Sequence, residues 1–242
     1  MEKIRVGITG QSGFIGSHLF RMVTVAADLE AVEFSREWFE DSARMRDFCA
    51  RCDAVVHLAG LSRHPDGEYL YTVNLGLTET LIAAAHTGQC LMLGSTTHEK
   101  KDAPYHASKR DSRTAVEAWA AGNGGRSRTL LMANTFGSGS RPFYNSVVST
   151  FCAMAARGQT PAAIDDVELE LIDVYALCRE IIAEIRNPDP SRTVAEIPAR
   201  YRVRLPELWK KLSKWRGLEP DEPPEFESAF EVFLWNTLRS YR

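Results

Sequence analysis

"GITGQSGFIG", residues 7–16, follows a short apolar run and places glycines at positions 7, 10, 13 and 16. Glycine loses more backbone freedom on folding than any other residue, so four within ten positions need a cause. Either the loop is a plain turn, or its bare backbone lets a phosphate approach. The flanks bear on the choice. "KIRVGIT" ahead of the loop has the β-branched, apolar composition of a strand, and Phe14 to Val25 beyond it reads as a helix. A glycine loop that joins a strand to a helix suits a pyrophosphate, because the helix N-terminus offers unpaired N–H donors and the positive end of its dipole. Gly10 then permits the tight turn, Gly13 the close backbone approach, and Gly16 the packing of helix on sheet. Gly7, Ser12, Phe14 and Ile15 complete the residues assigned to a bound dinucleotide.

Outward from the loop, strand-like and helix-like runs alternate. "LEAVEF" and "DAVVHLAG" read as strands around a short helix at residues 40–51. From Glu68 to Ala85, Leu70, Val73, Leu77, Leu81 and Ala84 keep helical spacing, which predicts an amphipathic helix. "QCLMLGS" is a strand, Ala103 to Ala121 a helix, "SRTLLMAN" a strand and Tyr144 to Arg157 a helix. The alternation predicts an α/β fold built on a doubly wound parallel sheet. Past residue 158 the rhythm breaks: prolines, short strands at "VELELIDV" and "TVAEI", then two helices. The expected organisation is a dinucleotide-binding domain at 1–158 and a small C-terminal substrate-binding lobe at 159–242, with some chain free to return to the sheet.

The bulk numbers exclude several function classes. A net charge of -3 with 25% charged residues gives no ground for a nucleic-acid partner or an anionic membrane surface. The basic cluster between Arg200 and Arg216 overlies an apolar stripe of Leu205, Leu208, Leu212 and Trp215, the pattern of a solvated helix face. No stretch approaches the roughly 20 apolar residues of a membrane span, and the first residues lack a secretory pattern, so a cytoplasmic location is expected. Five cysteines do not make a disulfide framework. Cys49 and Cys52 read as helix-packing residues, and none of the six histidines has a partner at ligand spacing, so no metal is assigned.

A second constellation lies in "STTHEKKDAPYHASK", residues 95–109. Tyr105 and Lys109 stand four apart on a predicted helix and so share a face. The hydroxyls of Ser95, Thr96 and Thr97 end the strand before it, at the sheet edge where open α/β folds bind ligands. A phenol near pKa 10 shuttles protons slowly at neutral pH, and an adjacent ammonium would lower that value. Tyr105 could then exchange a proton with a carbonyl oxygen, with Lys109 tuning it and holding a ribose and Thr96 fixing the carbonyl. Ser35 and Arg36, just after the second strand, point to the 2′-phosphate of NADPH over NADH, with Glu33 as the opposing signal.

Together, Thr9-Gly10-x-x-Gly13-x-x-Gly16, "HLAG" at 57–60, the hydroxyls at 95–97, "YHASK" at 105–109 and "ANTFGSG" at 133–139 resemble the extended short-chain dehydrogenase/reductases. The resemblance implies a Rossmann domain that binds a nicotinamide cofactor and a C-terminal lobe that covers a nucleotide sugar. It implies that Leu58, Ala59 and Gly60 line the cofactor, that Asn74 braces the site, and that a homodimer can form through the helices at 68–85 and 103–121. Aligned by strand end, Thr96 takes the catalytic hydroxyl's place, with Ser95 the alternative. "PFYNSVVSTFCAMAARG" and "VELELIDVYAL" are similar to segments of bacterial capsule-sugar reductases that act on the 4-keto group of UDP-linked deoxyhexoses. Several of those carry a C-terminal cupin, which would begin where this sequence stops, so no cupin-dependent epimerisation is expected. The family's usual arginines are replaced by Leu131 and absent around Val167. Arg141, Asn134 and Asn145 are then candidates for the diphosphate, against readings as a solvated arginine and a strand-end cap; Tyr144 is either a substrate contact or a core aromatic. The expected activity is NADPH-dependent reduction of a UDP- or dTDP-linked 4-keto-6-deoxyhexose. The alternatives are an epimerase or dehydratase with tightly held NAD, and a non-catalytic dinucleotide sensor.

Overall fold

A computed structural model describes residues 2–187, 189–219 and 221–242. The chain forms two compact units, Met1–Met132 with Cys178–Ile197, and Ala133–Leu177 with Pro198–Arg242. The chain passes between them three times; the sequence reading places a boundary near residue 158 and leaves some later chain free to return to the sheet.

The first unit is a six-stranded sheet, all parallel. Its strands are β1 (Ile4–Thr9), β2 (Leu29–Val32), β3 (Ala54–His57), β4 (Cys90–Thr96), β5 (Arg126–Met132) and β8 (Val194–Ile197), in the order β2-β1-β3-β4-β5-β8. Helices α1 (Phe14–Val25), α2 (Ser42–Ala50), α3 (Gly67–Ala84) and α4 (Pro104–Asn123) make the crossovers. Three of these helices start where chemistry requires. Asp41 and Asp66 accept amides of the first turns of α2 and α3, and Pro104 opens α4 at a position where its missing N–H costs nothing. Order reverses about β1 and β3, and the parallel register brings Thr9 opposite His57. The carboxyl ends of β1, β3 and β4 therefore share one edge, the ligand-binding edge of doubly wound sheets.

On one side of this sheet Phe48, Cys49 and Cys52 pack with Phe34, Val55, Leu81, Leu91 and Trp119. Burial pushes the Cys49 and Cys52 thiols up to about 12, as expected of packing residues rather than thiolates.

The second unit holds a three-stranded sheet of β6 (Asn134–Phe136), β7 (Glu168–Asp173) and β9 (Tyr201–Arg204), with β6 parallel and β9 antiparallel to β7. Its core combines α5 (Val147–Ala156), α7 (Leu205–Trp215) and α8 (Ala229–Arg239) around Phe136, Phe151, Leu208, Leu212, Trp215 and Trp235. The apolar stripe of α7 is buried, leaving its basic residues outward.

Beyond shifts of a few residues at element ends, the structure departs from the sequence reading at four places, one being Tyr201–Arg204, which lies in the basic cluster read as a helix face and forms β9. The strand read through Asn134 breaks at Ala133, and β6 starts a separate sheet. Helix α5 begins at Val147 rather than Tyr144, since Phe143 adopts φ 57° and Ser146 caps the helix through the Ser149 amide. Helix α6 (Val174–Arg186) has no counterpart in the sequence reading; Asp173 ends β7 and caps it directly, accepting from the Ala176 amide at 2.8 Å, with no glycine or proline between. No helix among the described residues is long and apolar enough to cross a membrane.

Candidate active site

The glycine loop has the geometry of a cradle. Gly10 takes φ +77°, and a Cβ there would meet the Ala59 amide nitrogen at 2.8 Å. A Cβ on Gly16 would stand 2.1 Å from the Gly10 carbonyl oxygen, and one on Gly13 would lie 3.1 Å from the same atom. The loop thus closes on its own backbone, with Ser12 and Gly13 exposed at its crest and Phe14 and Ile15 half-buried at the helix entry. No side chain caps α1, so its first amides stay available to an anion. Gly7 is different. It lies buried in β1, where a Cβ would meet Phe48 Cζ at 2.4 Å and Cys52 Sγ at 2.7 Å, so packing of α2 accounts for it.

A Gly16→Ala variant tests the cradle. The obstructing atom is backbone and cannot swing aside, so about 1–3 kcal/mol of stability should be lost together with dinucleotide affinity. Thermal unfolding and a nucleotide fluorescence titration read the two effects.

Gln11 joins the loop to the end of β2, a contact the sequence did not suggest. Its Nε2 donates to the Phe34 carbonyl at 2.8 Å while its Oε1 accepts from the Phe34 amide at 3.1 Å. The residues that follow, Ser35 and Arg36, lead into a short 3-10 turn at Arg36–Glu40. Arg36 is exposed, and Ser35 donates to the Glu37 carboxylate.

Leu58 and Ala59, half-buried, and exposed Gly60 follow β3. Asn74, buried on α3, clamps the next residue: it accepts from the Leu61 amide at 2.7 Å and donates to the Leu61 carbonyl at 2.9 Å. It also donates to Ser108 Oγ at 3.2 Å, tying α3 to α4 one turn from Tyr105. His57 is a packed residue, its ring nitrogens 2.7 Å from Thr9 Oγ1 and 3.3 Å from Thr78 Oγ1. Burial and the Lys109 ammonium push it down to about 3, so it is neutral.

Tyr105 and Lys109 share a face of α4, with Lys109 Nζ 5.9 Å from the ring centroid. The ammonium is buried and donates to the Gly94 carbonyl at 2.9 Å. Desolvation pulls it down to about 8, opposed by the Glu99 carboxylate. The half-buried Tyr105 phenol departs from the sequence argument: burial pushes it up, and the Lys109 ammonium, 5.9 Å from the ring centroid, does not offset this. The group is a protonated phenol at neutral pH and not a phenolate.

At the end of β4 the three hydroxyls separate. Ser95 is buried and donates to Glu99 Oε1 at 2.5 Å. Thr96 Oγ1 accepts from the His98 amide at 3.1 Å, which keeps its own proton for another acceptor. Thr97 is exposed, its amide bound to the Met132 carbonyl at 3.2 Å.

The remaining candidates belong to the second unit. Asn134 is exposed at the start of β6, and Asn145 is exposed ahead of α5. Arg141 is exposed with its guanidinium 5.1 Å above the half-buried Tyr144 ring, so that ring is not a core aromatic.

Comparison with known proteins bears on this arrangement. The model of the NAD dependent epimerase/dehydratase family matches residues 6–193. The chain belongs to this family. It is 27% identical over 219 residues to the UDP-2-acetamido-2,6-beta-L-arabino-hexul-4-ose reductase of Pseudomonas aeruginosa, covering 88% of this chain and 58% of that one. CapF, a capsular polysaccharide assembling protein of Staphylococcus aureus, matches with a TM-score of 0.76 and 27% identity over 98% of this chain and 65% of its own. The chain thus spans less than two thirds of both relatives. RMD from Pseudomonas aeruginosa, solved with NADPH, matches with a TM-score of 0.83 and 20% identity over 99% of this chain and 97% of its own, and shares the fold.

Proposed function

We propose that this chain is an NADPH-dependent reductase of the 4-keto group of a UDP- or dTDP-linked 4-keto-6-deoxyhexose. The observation that carries the reading is the buried Lys109 ammonium, held on the Gly94 carbonyl and 5.9 Å from the Tyr105 ring at the carboxyl end of β4. An ammonium is kept out of water at a cost, and a purely structural helix would do better with an apolar side chain. The relative named for reduction of a UDP-linked hexul-4-ose supports the substrate class, and the neighbour solved with NADPH supports the cofactor.

When bound, the reduced nicotinamide supplies hydride; the protein's task is to hold the reactants and manage one proton. Gly10, Ser12, Gly13, Phe14, Ile15 and Gly16 would hold the pyrophosphate. Ser35 and Arg36 would hold the 2′-phosphate against the adjacent Glu37, and Leu58, Ala59 and Gly60 would line the cofactor, braced by Asn74. Thr96 donates a hydrogen bond to the keto oxygen, Tyr105 gives that oxygen its proton, and Lys109 holds the ribose beside them. Ser95 is spent on Glu99, so Thr96 is the better hydroxyl. Asn134, Arg141, Tyr144 and Asn145 of the second unit, and Thr97 of the first, are the residues assigned to the substrate.

The test is turnover. Purified protein with NADPH and a panel of UDP- and dTDP-linked 4-keto-6-deoxyhexoses should consume NADPH in proportion to product hydroxyl formed, with NADH used less well. Nucleotide that survives desalting as tightly bound NAD, with no net NADPH consumption, would mean an epimerase or dehydratase cycle instead.

A further inference from the structure

Glu99 lies in the loop between β4 and α4 and is buried despite its charge. A carboxylate leaves water stably only when partners replace its hydration. Both oxygens have one: Oε1 accepts from Ser95 Oγ at 2.5 Å, and Oε2 pairs with Arg113 Nη1 at 3.2 Å. Arg113 is itself fixed by Glu117 at 2.9 Å, and Arg110 donates to the Glu99 carbonyl. Tyr105, Lys109, Arg113 and Glu117 succeed one another at four-residue steps along one face of α4. The two partners of Glu99 therefore bracket the lysine. Ser95 follows Gly94, whose carbonyl takes Lys109 Nζ, and Arg113 lies one turn beyond Lys109.

We propose that Glu99 is a positioning residue for the reduction: it withdraws the Ser95 hydroxyl so that Thr96 is presented, and it provides the fixed counter-charge for the Lys109 ammonium. The inference rests on the roles proposed for Tyr105 and Lys109. Among the described residues, His57, Tyr105 and Glu99 are the titratable groups that bear on Lys109. His57 faces it from β3 and is neutral, Tyr105 stands beside it on α4, and Glu99 comes from the loop. Burial drives the ammonium toward losing its proton, and Glu99 is the group that opposes this. Arg113 moderates that carboxylate from the other side.

The arrangement predicts two displacements of opposite sign. Glu99→Gln removes the negative charge, so Lys109 should lose its proton at a pH lower by about one unit. The alkaline limb of kcat should move acidward with it, kcat should fall about 10-fold or more, and KM for the dinucleotide should change little. Arg113→Gln leaves the carboxylate facing Lys109 alone, so the same limb should move alkaline. Glu99→Asp should restore the limb's position at reduced kcat. An NMR titration of isotope-labelled lysine, with the Lys109 resonance assigned through Lys109→Arg, reads the same displacements without any substrate. A failed turnover assay would therefore count against the proposed reaction and leave the titration to decide on Glu99. Equal titration of Lys109 in wild type and in a folded, dinucleotide-binding Glu99→Gln protein overturns the proposal. If Glu99→Gln does not fold, displacement of Lys109 acidward in Arg113→Gln, or none at all, overturns it as well.

Discussion

Replacing Tyr105 with phenylalanine is expected to lower turnover by about 100- to 10,000-fold while NADPH binds almost as before. The ring packs edge-on against His106 at 5.3 Å and lies 5.9 Å from Lys109 Nζ, and phenylalanine preserves both contacts. What is lost is one O–H. Hydride delivered to a keto carbon leaves charge on the oxygen, and without a positioned acid that charge must wait for water. Burial raises the phenol and so keeps it protonated across the neutral range, which suits a donor in the direction of reduction. It also means that the alkaline limit of the wild-type rate should be set by Lys109, near pH 8, and not by the tyrosine. Steady-state kinetics with a keto-sugar nucleotide, alongside an equilibrium NADPH titration, separate the two quantities. A variant that keeps turnover within a few-fold of wild type would remove Tyr105 from the chemistry.

Much of the fold could be read from local pattern. Helix α1 runs from Phe14 to Val25 as the sequence indicates, because the glycine loop and an apolar strand mark its start without help from distant residues. The parallel sheet follows from the alternation of strands and helices, and the six strands of the first unit realise it. Legibility ends where tertiary contacts decide. Helix α6 follows β7 directly, with Asp173, the last residue of the strand, as its punctuation, and β6 looks like the tail of β5 until a second sheet claims it. At the site, the Tyr105 and Lys109 pairing is a matter of helical spacing and is visible in the sequence. The choice between Ser95 and Thr96 is not, since it turns on Glu99 folding back across the loop. The direction of the phenol's shift is likewise set by the fold. Spacing reveals a nearby ammonium, but the extent of burial and the 5.9 Å between Nζ and the ring belong to the folded state.

Lys109→Met should produce a protein that is more stable and nearly inactive. The ammonium falls from 10.5 to about 8 on folding, a displacement worth about 3 kcal/mol against the native state at neutral pH. Methionine fills similar volume without the charge; it gives up the bond to the Gly94 carbonyl, about 1 kcal/mol, so the net gain should be about 2 kcal/mol. Glu99 keeps Ser95 and Arg113 as partners and is not left stranded. The sign of the pH dependence follows from which state holds the proton. Below pH 8 both folded and unfolded wild type carry the charge, and the penalty for burying it is complete. Between about 8 and 10.5 the folded state has released its proton while the unfolded chain still holds one, so wild-type stability rises with pH and the variant's does not. Urea denaturation at pH 7 and again near pH 10 should therefore find the variant ahead at the first and level at the second. Turnover should collapse and NADPH should bind more weakly, because the side chain proposed to hold the ribose has gone. A residue that weakens the fold it sits in, and whose removal strengthens that fold at the expense of activity, is retained for chemistry. A variant no more stable than wild type at pH 7 would mean that the buried ammonium is compensated inside the native state, and the energetic case for its catalytic role would fall with that result.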